Sequence, residues 1–295
     1  LDLRERLFHA TLESDAGFES LAEPALSLAL VLRNSGFSRR ALRVTRVALA
    51  YAEPEDCQGS QFLRLRMVGA LCSVDLGEFA GVASTLEWAS GQNSSVSDRT
   101  AVEMVKVHYN LQAGIWHPVE LAGTRTQNFA AGAEVLQAAL LTDDAEVVER
   151  ALRNCQELAG SEVPLHQYQI LRGKLVLKAL RGSLKKAMRS PDEICVTRIP
   201  FIGSVNRATL FRISGDSRAA AAAADSQKLL EAMPEGSQPP PATIALHLKN
   251  VLWTVPRRGG GKHRQGLRAK AEAILQRRLE QGFGILRLIA DGQNK

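Results

Sequence analysis

Apolar positions along this chain recur at helical spacing, and each apolar run closes on a glycine or an aspartate before a second run opens about five residues later. The clearest copy reads LALVLRNSGFSRRALRVTRVALAYAEPED, with Gly36 at the turn, Ala41 and Ala48 on the returning face and Pro54 as the stop. The next, MVGALCSVDLGEFAGVASTLEWAS, sets Gly77, Val82 and Ala89 at the same offsets. Further turns are expected at Gly114, near Asp143, at Gly182 and at Gly215, so the turns stand 29 to 41 residues apart. Glycine ends a helix in the left-handed conformation without a Cβ penalty, and the small residue after it lets the returning helix approach closely. One hairpin cannot bury its apolar face alone, so a ragged period in this range predicts an all-α, right-handed solenoid of stacked antiparallel hairpins.

The same pattern places helices at about 1–14, 18–34, 38–52, 58–75, 78–90 and 99–113, the last capped by Ser97 or Asp98. Others follow at 118–129, 131–141, 144–158 (capped by Asp143 or Asp144), 164–181, a basic 183–189, 203–213, 217–233, 243–255, 267–280 and 284–290. The leading helix carries Leu3, Leu7 and Phe8 on one face. SPDEICVTRIPFIG (190–203) reads as a connector, EGSQPPPA as a linker and PRRGGGKHRQG as a loop. The expected organisation is a repeat array over 1–235, a helix between Pro-rich and Gly/basic linkers over 236–266, and a basic helical tail over 267–295.

Composition fits helices filled with aliphatic residues, with 45% hydrophobic and only 5% aromatic residues. No apolar run reaches the roughly 18 residues of a membrane span, and a cytoplasmic protein is expected. A chain opening at Leu1 with no leader pattern reads as a piece of a longer polypeptide. Cys57, Cys72, Cys155 and Cys195 are scattered among apolar residues, as buried free thiols would be in a reducing compartment. Trp88 and Trp253 are expected to fill core between hairpins.

Charge is uneven. From Arg257 to Lys295 there are ten Lys or Arg against three acids, a net of +7 in a chain of net +6. Arg257, Arg258, Lys262, Arg264, Arg268, Lys270, Arg277 and Arg278 make this tail a candidate surface for nucleic acid, an acidic partner or a phosphorylated ligand. LRGKLVLKALRGSLKKAMR is a second cluster, with Arg172, Lys174, Lys178, Arg181, Lys185, Lys186 and Arg189 and no acid; it reads as a solvated helix face or an anion-binding patch.

Catalytic motifs fail on spacing. Gly259-Gly260-Gly261-Lys262 invites a phosphate loop, but that motif needs glycine at 256 and Ser or Thr at 263, where Pro256 and His263 stand. GxSxG, HExxH, paired CxxC and GxGxxG patterns do not occur, and the six histidines lack metal-ligand spacing. No enzyme activity, metal or cofactor is expected. Asp143-Asp144 has the look of paired carboxylates but fits helix capping better. His108, Tyr109, Trp116, His117 and Tyr168 are candidates to line a ligand or partner groove.

Leu28, Ala29, Leu32, Gly36, Ala41 and Ala48, with a proline soon after, resemble the small-and-large pattern of the tetratricopeptide repeat, although its central Tyr and Trp positions are aliphatic here. That resemblance implies a concave groove for peptides, proteins or small ligands. ILRLIADGQNK (285–295) resembles the VLxLIAxG opening of the helix-turn-helix domain of LuxR-type transcription regulators, whose MalT-like members carry a TPR-like array immediately upstream. The family's Arg-Glu pair is replaced by Glu280-Gln281-Gly282-Phe283-Gly284. The resemblance implies a sensing region that binds an inducer or partner, controls oligomerisation, and reaches DNA only through a complete helix-turn-helix in a longer protein. The other open reading is a stand-alone TPR-like adaptor or chaperone for a peptide or acidic protein.

Overall fold

A computed structural model of the chain describes residues 2–14, 17–92, 95–160, 163–183, 200–256 and 261–292. Among the described residues every regular element is helical. The α-helices are α1 (Asp2–Glu13), α2 (Phe18–Asn34), α3 (Ser38–Leu49), α4 (Ser60–Leu76), α5 (Val82–Ser90), α6 (Val96–Gln112), α7 (Pro118–Leu121) and α8 (Phe129–Ala139). They continue as α9 (Ala145–Glu157), α10 (Pro164–Leu180), α11 (Pro200–Ile213), α12 (Ala219–Glu231), α13 (Pro241–Thr254), α14 (Gly261–Glu280) and α15 (Arg287–Gly292).

All six expected turn positions are left-handed: Gly36 (φ 87°), Gly77 (79°), Gly114 (73°), Asp143 (56°), Gly182 (67°) and Gly215 (66°). The five glycines share one hydrogen-bond pattern. At Gly77 its own N–H donates to Val74 O at 3.0 Å and the N–H of Glu78 donates to Ser73 O at 2.8 Å. This double cap satisfies carbonyls that a helix end would leave bare.

The chain divides into two compact units, Leu1–Tyr109 with Pro234–Gln238, and Asn110–Met233 with Pro239–Lys295. In unit 1, α2 packs on α3 across Gly36 and both pack on α4. Leu21, Ala25, Leu28 and Leu32 of α2 meet Ala41 and Ala48 of α3 and Leu65, Val68 and Cys72 of α4. The opposite face of α4 (Leu63, Met67, Leu71, Val74) is covered by Val82 and Leu86 of α5 and Val105 of α6. Gln238 donates its N–H to Gly36 O at 2.6 Å, and a Cβ on Gly36 would meet the Gln238 carbonyl oxygen at 2.9 Å.

Unit 2 repeats this packing. α8 touches α9 and α10, and α11 touches α12 and α13. The alanine run of α12 puts Ala219, Ala222, Ala223 and Ser226 on its buried face, which admits its neighbours at short range. α13 is buried from Pro241 to Leu252, so this helix has no solvent face over three turns. The α14 end and α15 close on α13, with Phe283, Ile285, Leu286 and Ile289 buried. Gly284 sits against the α6–α7 turn so tightly that a Cβ on Gly114 would lie 2.7 Å from the Gly284 carbonyl carbon.

Several expectations are corrected. The helix foreseen at 118–129 stops at Leu121, because Asn154 of α9 donates to Thr124 O (3.1 Å) and Thr126 Oγ1 (3.3 Å) and holds that stretch as a loop. α6 starts at Val96, capped by Ser95: Asp98 N–H donates to Ser95 Oγ and Ser95 N–H returns to Asp98 Oδ2, each at 3.2 Å. Ser60 and Arg64 of α4 fix Asp98 from across the hairpin, at 2.6 and 3.0 Å. α14 begins at Gly261, inside the expected loop. Leu3 and Leu7 are exposed while Phe8 alone of that face is buried, and Trp253 is 39% exposed, with Lys249 Nζ 5.6 Å from its ring centroid. Most of the 190–203 connector, and the basic helix expected after 183, fall outside the described residues.

Candidate functional site

Buried charge, rather than a surface cleft, is where this sequence concentrates its polar chemistry. In unit 1 the centre is Asp75 on α4. Arg33 of α2 grips its carboxylate with Nε (2.7 Å) and Nη2 (3.2 Å), Ser38 Oγ of α3 donates at 3.0 Å, and His108 Nε2 of α6 lies at 2.9 Å. An ionised carboxylate only accepts, so His108 carries its proton on Nε2. Burial pushes the Asp75 pKa up, but the Arg33 guanidinium and the His108 bond outweigh it and hold the group well below the usual carboxylate range. Cys72, one turn earlier, is buried and its thiol is pushed up to about 12. These contacts tie four helices to one side chain. Expected as a groove residue, His108 is instead a buried brace, 2% exposed. Tyr109 packs its ring beside Phe79.

Unit 2 holds three polar clusters. Asp143 accepts from Arg212 Nη1 (2.5 Å) and Nη2 (2.8 Å) and from Lys249 Nζ (2.7 Å); Lys249 also donates to Leu141 O, and Arg212 Nε donates to Asn250 Oδ1. Burial raises the Asp143 pKa, yet the Arg212 and Lys249 contacts leave it lowered. Asp144 next door caps α9, accepting from Glu146 N (2.8 Å) and Val147 N (3.2 Å), so the pair divides its labour. In the second cluster His247 lies 2.9 Å from Ser226 Oγ through Nδ1 and 2.9 Å from Gln227 Oε1 through Nε2. Ser226 and His247 are wholly buried, which closes this Ser–His pair to substrate, and burial pulls the His247 pKa down to about 4.

The third cluster lies where α10 meets α11. Asn206 Nδ2 donates to Tyr168 OH at 2.6 Å, and Arg172 stands one helical turn beyond Tyr168. Arg172 and Asn206 are each 3% exposed. Among the described residues Arg172 Nη2 and Asn206 Oδ1 have no hydrogen-bond partner. No carboxylate among the described residues pairs with Arg172, whose pKa burial pushes downward. The solvated-face reading of the 172–189 cluster is therefore corrected at its first member. Lys174 and Lys178 are exposed, Arg181 pairs with Glu149 at 2.7 Å, and Lys185, Lys186 and Arg189 lie outside the described residues.

The other groove candidates do separate jobs. His117 caps α7 through Nδ1, accepting from Val119 N at 3.2 Å, and Trp116 is half-buried. His108 and Tyr109 belong to unit 1, Trp116, His117 and Tyr168 to unit 2. In the tail, Arg268 is corrected from a member of the basic binding surface to a buried tether: Nη1 donates to Leu252 O (2.8 Å) and Val255 O (2.7 Å) and caps the end of α13. Lys270 pairs with Glu231 at 2.7 Å and Arg278 lies over the Phe283 ring at 5.0 Å. Arg264 and Arg277 are exposed; Arg257, Arg258 and the side chain of Lys262 lie outside the described residues.

Surface hollows open in both units. In unit 1, one of about 240 Å³ runs between α3 and α5 over the small floor Gly69, Ala70 and Ser73, with Arg46 and Arg66 on its walls. In unit 2, one of about 290 Å³ lies between α12 and α14, beside Lys228, Glu231 and Lys270. Among the described residues no three His, Cys, Asp or Glu side chains gather as metal ligands, and no helix is long and apolar enough to cross a membrane. Cys57, Cys72 and Cys155 are free thiols; Cys195 lies outside the described residues.

This geometry defines an all-helical protein of paired helices with charge braced inside it. No family model, curated protein or solved structure matches the chain.

Proposed function

We propose that the chain is a ligand- or partner-binding scaffold of stacked helical hairpins, the sensing and assembly region of a LuxR-type transcription regulator working in the cytoplasm. The packing of one helix on its next two neighbours carries this reading. It occurs in α2–α3–α4, α8–α9–α10 and α11–α12–α13, with a left-handed turn between the first two helices each time. That is the contact order of stacked hairpins, in which each pair lends its face to the next. The α3–α5 hollow offers such a scaffold a walled surface on a small-residue floor.

The regulator component rests on the likeness of 285–292 to the opening helix of the LuxR-type DNA-binding domain and on its order after the array. One observation favours the adaptor reading instead. Gly282 ends α14 at φ 90°, and Gly284 meets Gly114 in backbone contact. The residues that depart from the family's pattern are thus those that seat Ile285, Leu286 and Ile289 inside unit 2. On the adaptor reading this segment is a structural closure of the scaffold rather than the threshold of another domain.

Thermal-shift screening against metabolites and short peptides, with mass followed by light scattering, separates the readings. Saturable stabilisation by a metabolite with a change of association state supports the sensor. Stabilisation by peptides alone supports the adaptor. Absence of any thermal or association response to every ligand class would sink the binding-scaffold reading itself.

A further inference from the structure

Among the described residues Arg172 is a cation without an anion. Three observations meet at the α10–α11 junction: the guanidinium is 3% exposed, its Nη2 has no hydrogen-bond partner, and no carboxylate among the described residues pairs with it. Three other cations of the same unit are matched. Arg212 and Lys249 share Asp143, while Arg268 donates to two carbonyls and to Glu272. An arginine does not escape burial by deprotonating, so the unmatched charge persists and is costly.

Tyr168, which acts electrostatically on Arg172 and is hydrogen-bonded to Asn206, links the guanidinium to a second donor, the Asn206 amide. Asn206 meets Tyr168 OH at 2.6 Å, a separation ordinary for O–H···O and short for N–H···O. The two ends of a side-chain amide have the same shape. Turned about, Asn206 accepts the Tyr168 hydroxyl proton on Oδ1, and its Nδ2 replaces the orphaned acceptor with a donor. The cluster then presents guanidinium and amide N–H groups and needs one thing, a compact anionic acceptor.

We propose that Arg172 and Asn206, with Tyr168 orienting the amide, form a buried binding site for the carboxylate group of a small organic acid. A carboxylate is preferred to a phosphate by charge balance. One negative charge neutralises Arg172, whereas a phosphate dianion would leave a net negative charge buried. The planar carboxylate also matches the guanidinium fork. The site stands on the unmatched cation and does not depend on the regulator or adaptor reading.

The test uses the whole chain, with melting temperature followed while sodium acetate replaces sodium chloride at constant ionic strength. Salt effects on exposed surface act alike on wild type and variants, so the difference between them is the signal. Arg172→Met keeps the side-chain volume and removes the charge. The expected result is a saturable rise of a few degrees in wild type that is absent in Arg172→Met and needs at least tenfold more acetate in Asn206→Leu. Line broadening of ¹³C-acetate by wild type, relieved by unlabelled acetate, gives the same answer without any variant. Equal acetate responses in wild type and Arg172→Met, or no broadening, would overturn the site. Saturable stabilisation by inorganic phosphate but not by acetate would overturn the carboxylate assignment.

Discussion

Asp75 in unit 1 and Arg172 in unit 2 are both buried charges, and their surroundings could hardly differ more. Asp75 is met by Arg33, Ser38 and His108 from three other helices. Arg172 has no partner for Nη2 and no carboxylate among the described residues. A matched buried charge is a brace, because removing one side takes away what the other was paired with; an unmatched one is a standing cost. The contrast separates architecture from candidate function without any appeal to relatives.

The largest expected effect tests the brace. Asp75→Ala removes the acceptor that Arg33, Ser38 and the buried His108 share, and should cost about 3–5 kcal/mol in a denaturant titration. A loss under about 1 kcal/mol would mean that the surrounding groups rehydrate freely and that the brace is ornamental. Arg172→Met should move stability the other way in acetate-free buffer, by about 1–4 kcal/mol in favour of the fold. Opposite signs for the two variants are the sharpest statement of the comparison, and equal losses would erase it.

Gly114→Ala should come next. It forces a Cβ into the left-handed region and into the backbone of Gly284, at a cost of about 2–4 kcal/mol. Gly215→Ala has the same backbone conformation with open space beside it, so only the conformational cost of about 1–2 kcal/mol remains. Equal losses would show that the closure of 284–289 on the α6–α7 turn contributes nothing.

Acid provides a milder test that reads the units separately. The folded pKa of His247 is depressed to about 4, so the unfolded chain takes up a proton first as pH falls below the ordinary histidine value. Its stabilising contribution is complete above about pH 6.5 and drains away between there and about pH 4. Asp75 is also depressed, so its contribution is complete above the ordinary aspartate value and declines only as pH falls below about 4. Hydrogen exchange should therefore show α12 and α13 losing protection before α2 and α4. The reverse order would contradict the assignment of His247 as buried and neutral.

The helices were legible in the sequence where a local signal was strong. α2 was placed at its observed limits, and α10 to within a residue, because Gly36, Pro164 and Gly182 act through their own backbone geometry. Boundaries went astray where a distant residue intervened, as when Asn154 held the loop after α7 or Arg64 and Ser60 fixed Asp98 at the start of α6. The candidate site was half legible. Tyr168 was named as a groove candidate and Arg172 for its basic run, but no spacing rule joins either to Asn206, 38 residues beyond Tyr168. Arg268 was misread for the same reason: two free carbonyls at the end of α13 decide its place, and carbonyls leave no trace in a residue pattern.

What the sequence determined by itself is the succession of helices and the left-handed turns between them, since glycine conformation, capping and apolar periodicity are local properties. What the tertiary structure alone decided is which charges are matched. Pairing energy depends on burial and on groups brought together from helices far apart in the chain, and the low dielectric that makes Asp75 a brace and leaves Arg172 a costly charge exists only once those helices have packed.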